Sequence, residues 1–352
     1  MQGMVLAAGG APRLYPLTYA LPMPMVPMVN RPILEHTLGH LRRHGMDEVM
    51  INLHLLPRYV TDYFGESEFL GTRLRYSVEP DLLGTAGGVR QVADFFRSTF
   101  LVIGGDLLTD LDLGKLIAFH QERGALATLG VVRRDNPSEV GVVATDEQGR
   151  VMRYQEKPRA DEVFSPLCNT GIYVFEPAIF ELIPNIVYDF GRQLFPRLVQ
   201  EGRAFYALEL EGYWRDVGDL MSYRQGNRDF LEGRVGLPLP GSEVKPGVWL
   251  DEHAFLHPEA NVVPPVVLGR GAHVEAGVRL EGPVVLGDGV VLEEGVQLSS
   301  SVIWDASRIN REAEVSDALV GAGCVLEGGH RYRQVVLGSG SRFTFKTPQV
   351  AT

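Results

Sequence analysis

Residues 266–298 read VVLGRGAHVEAGVRLEGPVVLGDGVVLEEGVQL. Leu268, Val274, Leu280, Leu286, Leu292 and Leu298 recur at intervals of six, and the series runs back through Val262 and Leu256 to Leu250. Two residues before members of this series stand Ala254, Ala260, Val266, Ala272, Val278, Val284, Val290 and Val296, all small or β-branched. A meander of ordinary strands would need turn insertions that break the phase, and none interrupts this stretch. The period therefore predicts a β-helix of hexapeptide repeats over residues 249–340. The phase slips after Trp304, which predicts irregular or capping coils there, with residues 341–352 as a tail. Just upstream, GRVGLPLPGSEVKPG is rich in glycine and proline and reads as a linker, assigned to residues 233–248.

Residues 1–232 have another rhythm. Apolar runs at 4–8, 49–53, 73–79 and 100–104 read as strands, and 32–44, 86–97 and 113–123 read as helices. Asp112 is placed to cap the last of these and Gly124 to end it. Such alternation predicts an α/β domain with a mostly parallel sheet, in which ligands bind at the carboxyl ends of the strands. The loop after residue 8 and Asp106 both fall at such ends and could face one crevice.

Bulk properties narrow the function. The net charge of −11 argues against nucleic acid and anionic membrane surfaces as partners. No run of apolar residues is long enough for a membrane span, and no leader is recognisable at the N-terminus. The 2 cysteines, Cys168 and Cys324, make a disulfide framework unexpected and a reducing cytoplasm the default compartment.

Candidate chemistry begins at residues 6–27, LAAGGAPRLYPLTYALPMPMVP. Gly9 and Gly10 after a strand can bring backbone N–H groups to phosphate oxygens, and Arg13 follows. Asp106 at a strand end and Asp216 in YWRDVGD supply the carboxylates that a Mg²⁺-bound triphosphate needs. Lys157 in YQEKP and Asn169 in CNTGIY are suited to a phosphate and a sugar hydroxyl. Each alone reads equally well as a cap, a turn or a surface residue. His36, His40 and His44 share a helix stripe at metal-ligand spacing, but that helix has its own apolar face, and a solvated or interfacial stripe is expected. Asp110 and Asp112 read as turn and cap residues, and Tyr213 and Trp214 as packing.

The ordered set LAAGGAPRLYPLT…PMPMVP, EPDLLGTAGGV, GGDLLTD, EKP, CNTGIYVF, DFGRQLFP and WRDVGD resembles the sugar-phosphate nucleotidyltransferases, or nucleotide-sugar pyrophosphorylases. The branch most similar is that of the mannose-1-phosphate guanylyltransferases with a C-terminal left-handed parallel β-helix. The resemblance implies a Rossmann-like nucleotidyltransferase domain and in-line transfer of a nucleotidyl group from an NTP to a sugar 1-phosphate. By motif match, Asp106 and Asp216 would hold Mg²⁺, Arg13 the phosphates and Lys157 the sugar phosphate. Gly141, Glu156 and Asn169 would line the sugar pocket. Ala8, Gly9, Gly10, Glu79, Gly84 and Thr85 would form the nucleotide site. A Glu79 carboxylate can accept the N1–H and N2–H donors of guanine, which favours GTP, with mannose 1-phosphate as the accompanying sugar. Stacked coils also imply a homo-oligomer through the β-helix.

The family loop reads Gly-x-Gly-Thr-Arg and then Pro-Lys-Pro, whereas this chain has Ala11, Pro12 and Met23 at the second glycine, the threonine and the lysine. Three readings follow: a working nucleotidyltransferase, a catalytically weak nucleotide-sugar-binding regulator, and an additional acyltransferase using His253, His257 or His273.

Overall fold

The computed structural model describes residues 1–65, 67–135 and 137–343. They fall into two compact units, the first formed by Met1–Gly10 and Ile33–Asp216 and the second by Ala11–Pro32 with the chain from Val217 onward. The division differs from the expected boundary at residue 232. The physical reason is that residues 11–32 and the helix Leu220–Leu231 are bonded to β-helix coils within the second unit, as described below.

The first unit is built on one large sheet and a two-stranded ribbon. Its strands are β1 (Gln2–Leu6), β2 (Glu48–Leu53), β3 (Glu68–Phe69), β4 (Thr72–Val78), β5 (Phe100–Gly104), β6 (Leu107–Thr109), β7 (Ala127–Arg133), β8 (Val142–Thr145), β9 (Val151–Gln155), β10 (Leu167–Phe175), β11 (Phe205–Glu209) and β12 (Trp214–Asp216). The main order is β9-β8-β10-β5-β1-β2-β4-β3, with β7 joining β10 to β11 and β6 pairing separately with β12. β5, β1, β2 and β4 are parallel, the Rossmann-like part, while β10, β8 and β9 extend the sheet antiparallel. Every residue of β2 is buried, and β1 is nearly so, as strands covered on both faces should be. The apolar layer includes a chain of stacked rings through Phe175, Phe190, Phe195 and Phe205.

Helix α1 (Ile33–Arg43) packs Ile33, Leu34, Leu38 and Leu41 inward. Of the solvated or interfacial histidine stripe expected, the interfacial form is found at His40 and His44. His40 is 3% exposed, and its Nε2 donates to the Leu111 carbonyl at 2.9 Å. Its neighbour His44 accepts the Gly114 N–H at 3.2 Å. Leu111 and Gly114 flank the start of the helix that Asp112 caps through the Lys115 N–H, so the stripe fastens one helix to the next turn.

The second unit contains the left-handed parallel β-helix, whose strands stack in three sheets. Its core is the hexapeptide series itself, with Leu268, Val274, Leu280, Leu286 and Leu292 all fully buried. Val248, Val266 and Val284 stack with 18 residues to the coil. From Val285 the spacing falls to 17, through Val302, Leu319 and Val336. The sequence placed this slip after Trp304 and expected irregular coils. The coils instead stay regular, and the change lies at one corner. Pairs such as Gly282-Pro283 turn the longer coils, whereas Ser300, Asp317 and Gln334, each at positive φ, turn the shorter ones alone. Part of the expected linker is also ordered: Ser242–Lys245 pairs antiparallel with Val248–Leu250 and closes the first coil. Of the tail, Arg342–Phe343 adds a last strand, and residues 344–352 lie outside the described residues.

Several bonds join the other segments of this unit to the coils. Trp304 Nε1 donates to the Tyr223 hydroxyl at 2.8 Å, and that hydroxyl donates to the Pro27 carbonyl at 2.6 Å. Asn30 donates to the Leu286 carbonyl at 2.7 Å, and Arg31 pairs with Asp251 at 2.9 Å. Among the described residues, no helix is long and apolar enough to cross a membrane.

His40 gives a pH prediction. Burial, then the charges of His44 and Arg43, hold its imidazole down to about 4 from an ordinary 6.5, against the opposing pull of the Leu111 carbonyl and Asp110. The unfolded chain therefore takes up this proton at a higher pH than the folded chain does. Stability is full above the unfolded value and falls as pH drops through the window between the two, by up to about 3 kcal/mol at roughly 1.4 kcal/mol per unit. Urea unfolding at pH 7 and pH 4.5 should show a smaller loss for His40→Gln than for the wild type.

Candidate active site

The register of β1 and β5 fixes the centre of the site. Leu6 lies beside Gly104, and the Gly105 N–H donates to the Leu6 carbonyl at 2.9 Å. A Cβ on Gly105 would stand 2.9 Å from that same oxygen, so the chain passes here only as glycine. Asp106 follows, half-buried, with its Oδ1 over Gly104, where an added Cβ would lie at 2.9 Å. The next strand, β6, pairs antiparallel with β12 and sets Leu107 opposite Asp216. The two aspartates, distant in sequence, thus meet at the end of β5, one position out of register. Among the described residues no group of three or more potential metal ligands occurs. Two acceptor-only carboxylates are nonetheless the donor set suited to a Mg²⁺ ion that takes its remaining oxygens from phosphates and water.

On one side lies the loop after β1. Ala7 and Ala8 are buried, whereas Gly9 and Gly10 are exposed. A Cβ on Gly9 would meet nothing within 4 Å, and neither glycine adopts positive φ. Their contribution is a bare backbone open to a ligand rather than a special conformation. The loop is anchored from beneath. The Ala7 N–H donates to Asn52 Oδ1 at 2.8 Å, Asn52 Nδ2 donates to Glu79 Oε1 at 2.7 Å, and the Leu83 N–H donates to Glu79 Oε2 at 3.1 Å. Glu79 is 1% exposed. Both carboxylate oxygens of Glu79 are engaged in tying the ends of β1, β2 and β4 to the following helix, so the expected reading of guanine would have to share a group already used as a brace. Gly84 and Thr85, at the start of helix Gly84–Gln91, are similarly committed to the segment 188–190. A Cβ on Gly84, at φ +76, would lie 2.6 Å from the Tyr188 carbonyl oxygen. The Thr85 hydroxyl donates to Asp189 Oδ2 and accepts from the Phe190 N–H, both at 2.8 Å.

On the other side, Gly141, Glu156 and Asn169 come together as expected. β10 shifts register between Asn169 and Tyr173, with Gly171 at φ +77 inside the irregularity. That bend lets Asn169 Nδ2 reach both the Tyr154 hydroxyl at 3.2 Å and the Tyr173 hydroxyl at 3.0 Å. Tyr154 in turn donates to Glu156 Oε2 at 2.6 Å. Added Cβ atoms on Gly141 and Gly191 would lie 2.1 Å from the Tyr154 hydroxyl and 2.3 Å from Glu156 Oε2, so two bare backbones enclose this pair. Burial above all raises both tyrosine hydroxyls well beyond their ordinary range, which keeps them protonated. Lys157 is exposed just beyond, at φ +44.

Residues 2–233 match the nucleotidyl transferase family model, and residues 262–344 match the model described as the GMPPB C-terminal domain. The chain belongs to the nucleotidyl transferase family. Within it, the nucleotide-sugar pyrophosphorylases are the relatives. A UTP–glucose-1-phosphate uridylyltransferase of Synechocystis is 39% identical over 265 residues, covering 71% of this chain and 68% of that one. A mannose-1-phosphate guanylyltransferase of Mycobacterium tuberculosis is 34% identical over 267 residues, covering 71% and 73%. The crystal structure of HddC from Yersinia pseudotuberculosis complexed with GMP-PN shares the fold, with a TM-score of 0.57 at 23% identity over 65% of this chain and 99% of that one.

The departures of this nucleotidyl transferase from the family loop now have physical descriptions. Ala11 sits at φ −121, so its Cβ meets no left-handed backbone. Pro12 opens a short 3-10 turn, where its missing N–H breaks no intrahelical bond. Met23 is 6% exposed, so the position where the family has an ammonium belongs here to the apolar interior. Arg13 is exposed on the same turn as Pro12. Burial raises the Asp219 carboxyl, but hydrogen bonds from Ser222 and the charge of Arg13 leave it below its ordinary value. Two of the candidate acyl-transfer histidines are engaged locally, His257 with the Glu259 N–H at 3.1 Å and His273 with Glu275 at 3.2 Å.

Sequence reasoning missed Asn52, Tyr154, Tyr173, Asp189 and Gly191. Asn52 carried a usable signal, a lone amide near the end of the apolar run VMINL. Removing it tests the relay. Asn52→Ala strands the Ala7 N–H and one oxygen of Glu79, and should cost about 1–3 kcal/mol in urea unfolding. Wild-type stability in that variant would show that the loop is not anchored through Asn52.

Proposed function

We propose that this chain makes a nucleotide sugar: an oxygen of a sugar 1-phosphate bonds to the α-phosphorus of an NTP as the bond to the β-phosphate breaks, and pyrophosphate leaves. The observation that carries the reading is the meeting of Asp106 and Asp216 beside the open Gly9-Gly10 backbone. Asp106 and Asp216 would hold a divalent cation, Mg²⁺ in our reading, and such an ion neutralises charge on the phosphates. The backbone of Ala8, Gly9 and Gly10 would face the nucleotide, with Gly84 and Thr85 shaping its base side. Arg13, three residues beyond Gly10, is assigned to the phosphates by motif position. Lys157 would hold the sugar phosphate, and Gly141, Glu156 and Asn169 the sugar ring.

UTP with glucose 1-phosphate is the pair we place first, supported by the higher identity of the Synechocystis relative. GTP with mannose 1-phosphate is the second reading, supported by the guanylyltransferase relatives and the C-terminal domain. Buried Met23 supports a different alternative, a nucleotide-sugar-binding regulator with weak catalysis. The two free, buried cysteines accord with a reducing cytoplasm. Self-association through the exposed sheet faces of the β-helix is also proposed, and sedimentation as a monomer at all micromolar concentrations would remove it.

Pyrophosphate release decides among these. With Mg²⁺ and the five common NTPs against glucose 1-phosphate and mannose 1-phosphate, one pair should turn over, and Asp106→Asn should slow it by roughly 10²–10³-fold. Tight nucleotide-sugar binding with no turnover would instead favour the regulator.

A further inference from the structure

Tyr154 has no place in the reading so far, yet it holds the sugar side together. Its ring is fixed edge-on against Phe195, with centroids 5.1 Å apart, and the residue is 8% exposed. Its hydroxyl has one hydrogen to give and gives it to Glu156 Oε2 at 2.6 Å, while accepting from Asn169 Nδ2 at 3.2 Å. Asn169 is held from its other end by the Gly171 N–H at 3.0 Å. A carboxylate accepts and never donates. With Oε2 committed to a tyrosine that burial keeps protonated, Glu156 has its other oxygen left to accept a hydrogen bond from a ligand.

We infer that Tyr154 is a positioning residue that aims the second oxygen of Glu156 at one hydroxyl of the sugar, braced by Asn169, whose two amide hydrogens go to Tyr154 and Tyr173, so that the enzyme selects sugar 1-phosphates bearing a free donor there. This rests on the nucleotidyltransferase reading above. A buried acceptor left without its donor penalises an analogue lacking that hydroxyl far more than a missing apolar contact would.

Tyr154→Phe keeps the ring and deletes the hydroxyl. The expected result is a rise in KM for the sugar 1-phosphate of about 10- to 100-fold, the worth of one hydrogen bond to a charged group, with the KM for the NTP held within about twofold. Across a panel of monodeoxy sugar 1-phosphates, the wild type should reject one strongly, and the variant should lose that discrimination. An unchanged sugar-phosphate KM with intact discrimination overturns the inference. So does an equal rise in both KM values, which marks general loosening. Calorimetric binding of UDP-glucose and GDP-mannose gives a readout that does not need turnover, and weaker binding by the variant there supports the same conclusion. A wild-type protein that neither turns over nor binds either nucleotide sugar removes the underlying reading, and the inference falls with it.

Discussion

The pairing of β1 with β5 is the constraint on which the site depends. Parallel strands in register end at the same level, so whatever follows each strand is brought side by side without any dedicated contact. Here the followers are the Ala7–Gly10 loop and Asp106. Gly105 tightens the arrangement by letting its N–H close on the Leu6 carbonyl, an approach any Cβ would block. The β6–β12 ribbon then returns Asp216 to the same end, so a carboxylate from late in the chain joins one from the middle. The buried Asn52–Glu79 relay works on the other side, locking the β1 loop to the turn before helix Gly84–Gln91. A substrate that needs its reacting groups aligned gains most from such parts, because they are ordered before it arrives.

The second unit gives the unusual loop sequence a structural rationale. Residues 11–32 do not hang from the sheet as a free loop. They are fastened by Asn30 to a β-helix carbonyl, by Arg31 to Asp251, and by Pro27 to the Tyr223–Trp304 pair. A segment built into an apolar interior has reason to carry Met23, Pro24 and Met25 buried in place of a solvated lysine. Ala11 and Pro12 fit their backbone without strain. These substitutions need not be read as decay of the loop, since each suits the packing it occupies. They still remove an ammonium from the place where the family puts one.

Much of this was legible because sequence period reports burial directly. The six-residue repeat gave the β-helix, and strand ends in apolar runs gave Asp106 and the Gly9-Gly10 loop. Three things were hidden for physical reasons. The 17-residue coils were hidden because one residue at positive φ can replace a two-residue corner, and Ser300, Asp317 and Gln334 carry no obvious signature of it. The burial of His40 was hidden because its partner, the Leu111 carbonyl, belongs to a distant turn. The bracing by Glu79 was hidden because its partners are an amide and a backbone N–H that only the fold brings to it.

Glu79 and Glu156 show how the same chemical group is put to two uses. Both are acceptor-only, and both receive a short internal hydrogen bond. Glu79 has each of its oxygens engaged and is sealed from solvent, so it acts as a brace. Glu156 is only partly buried, accepts the Tyr154 O–H at one oxygen, and packs against glycines where any side chain would collide with this pair. Carboxylates at a site for anionic phosphates are electrostatically unfavourable unless something opposes them. In the proposed reading, a cation held by Asp106 and Asp216, together with Lys157, would be a condition of binding as well as of chemistry. With Met23 in the apolar interior, more of that opposing charge would have to come from the metal. Dependence on the divalent cation should accordingly be steeper here than in relatives that keep the loop lysine.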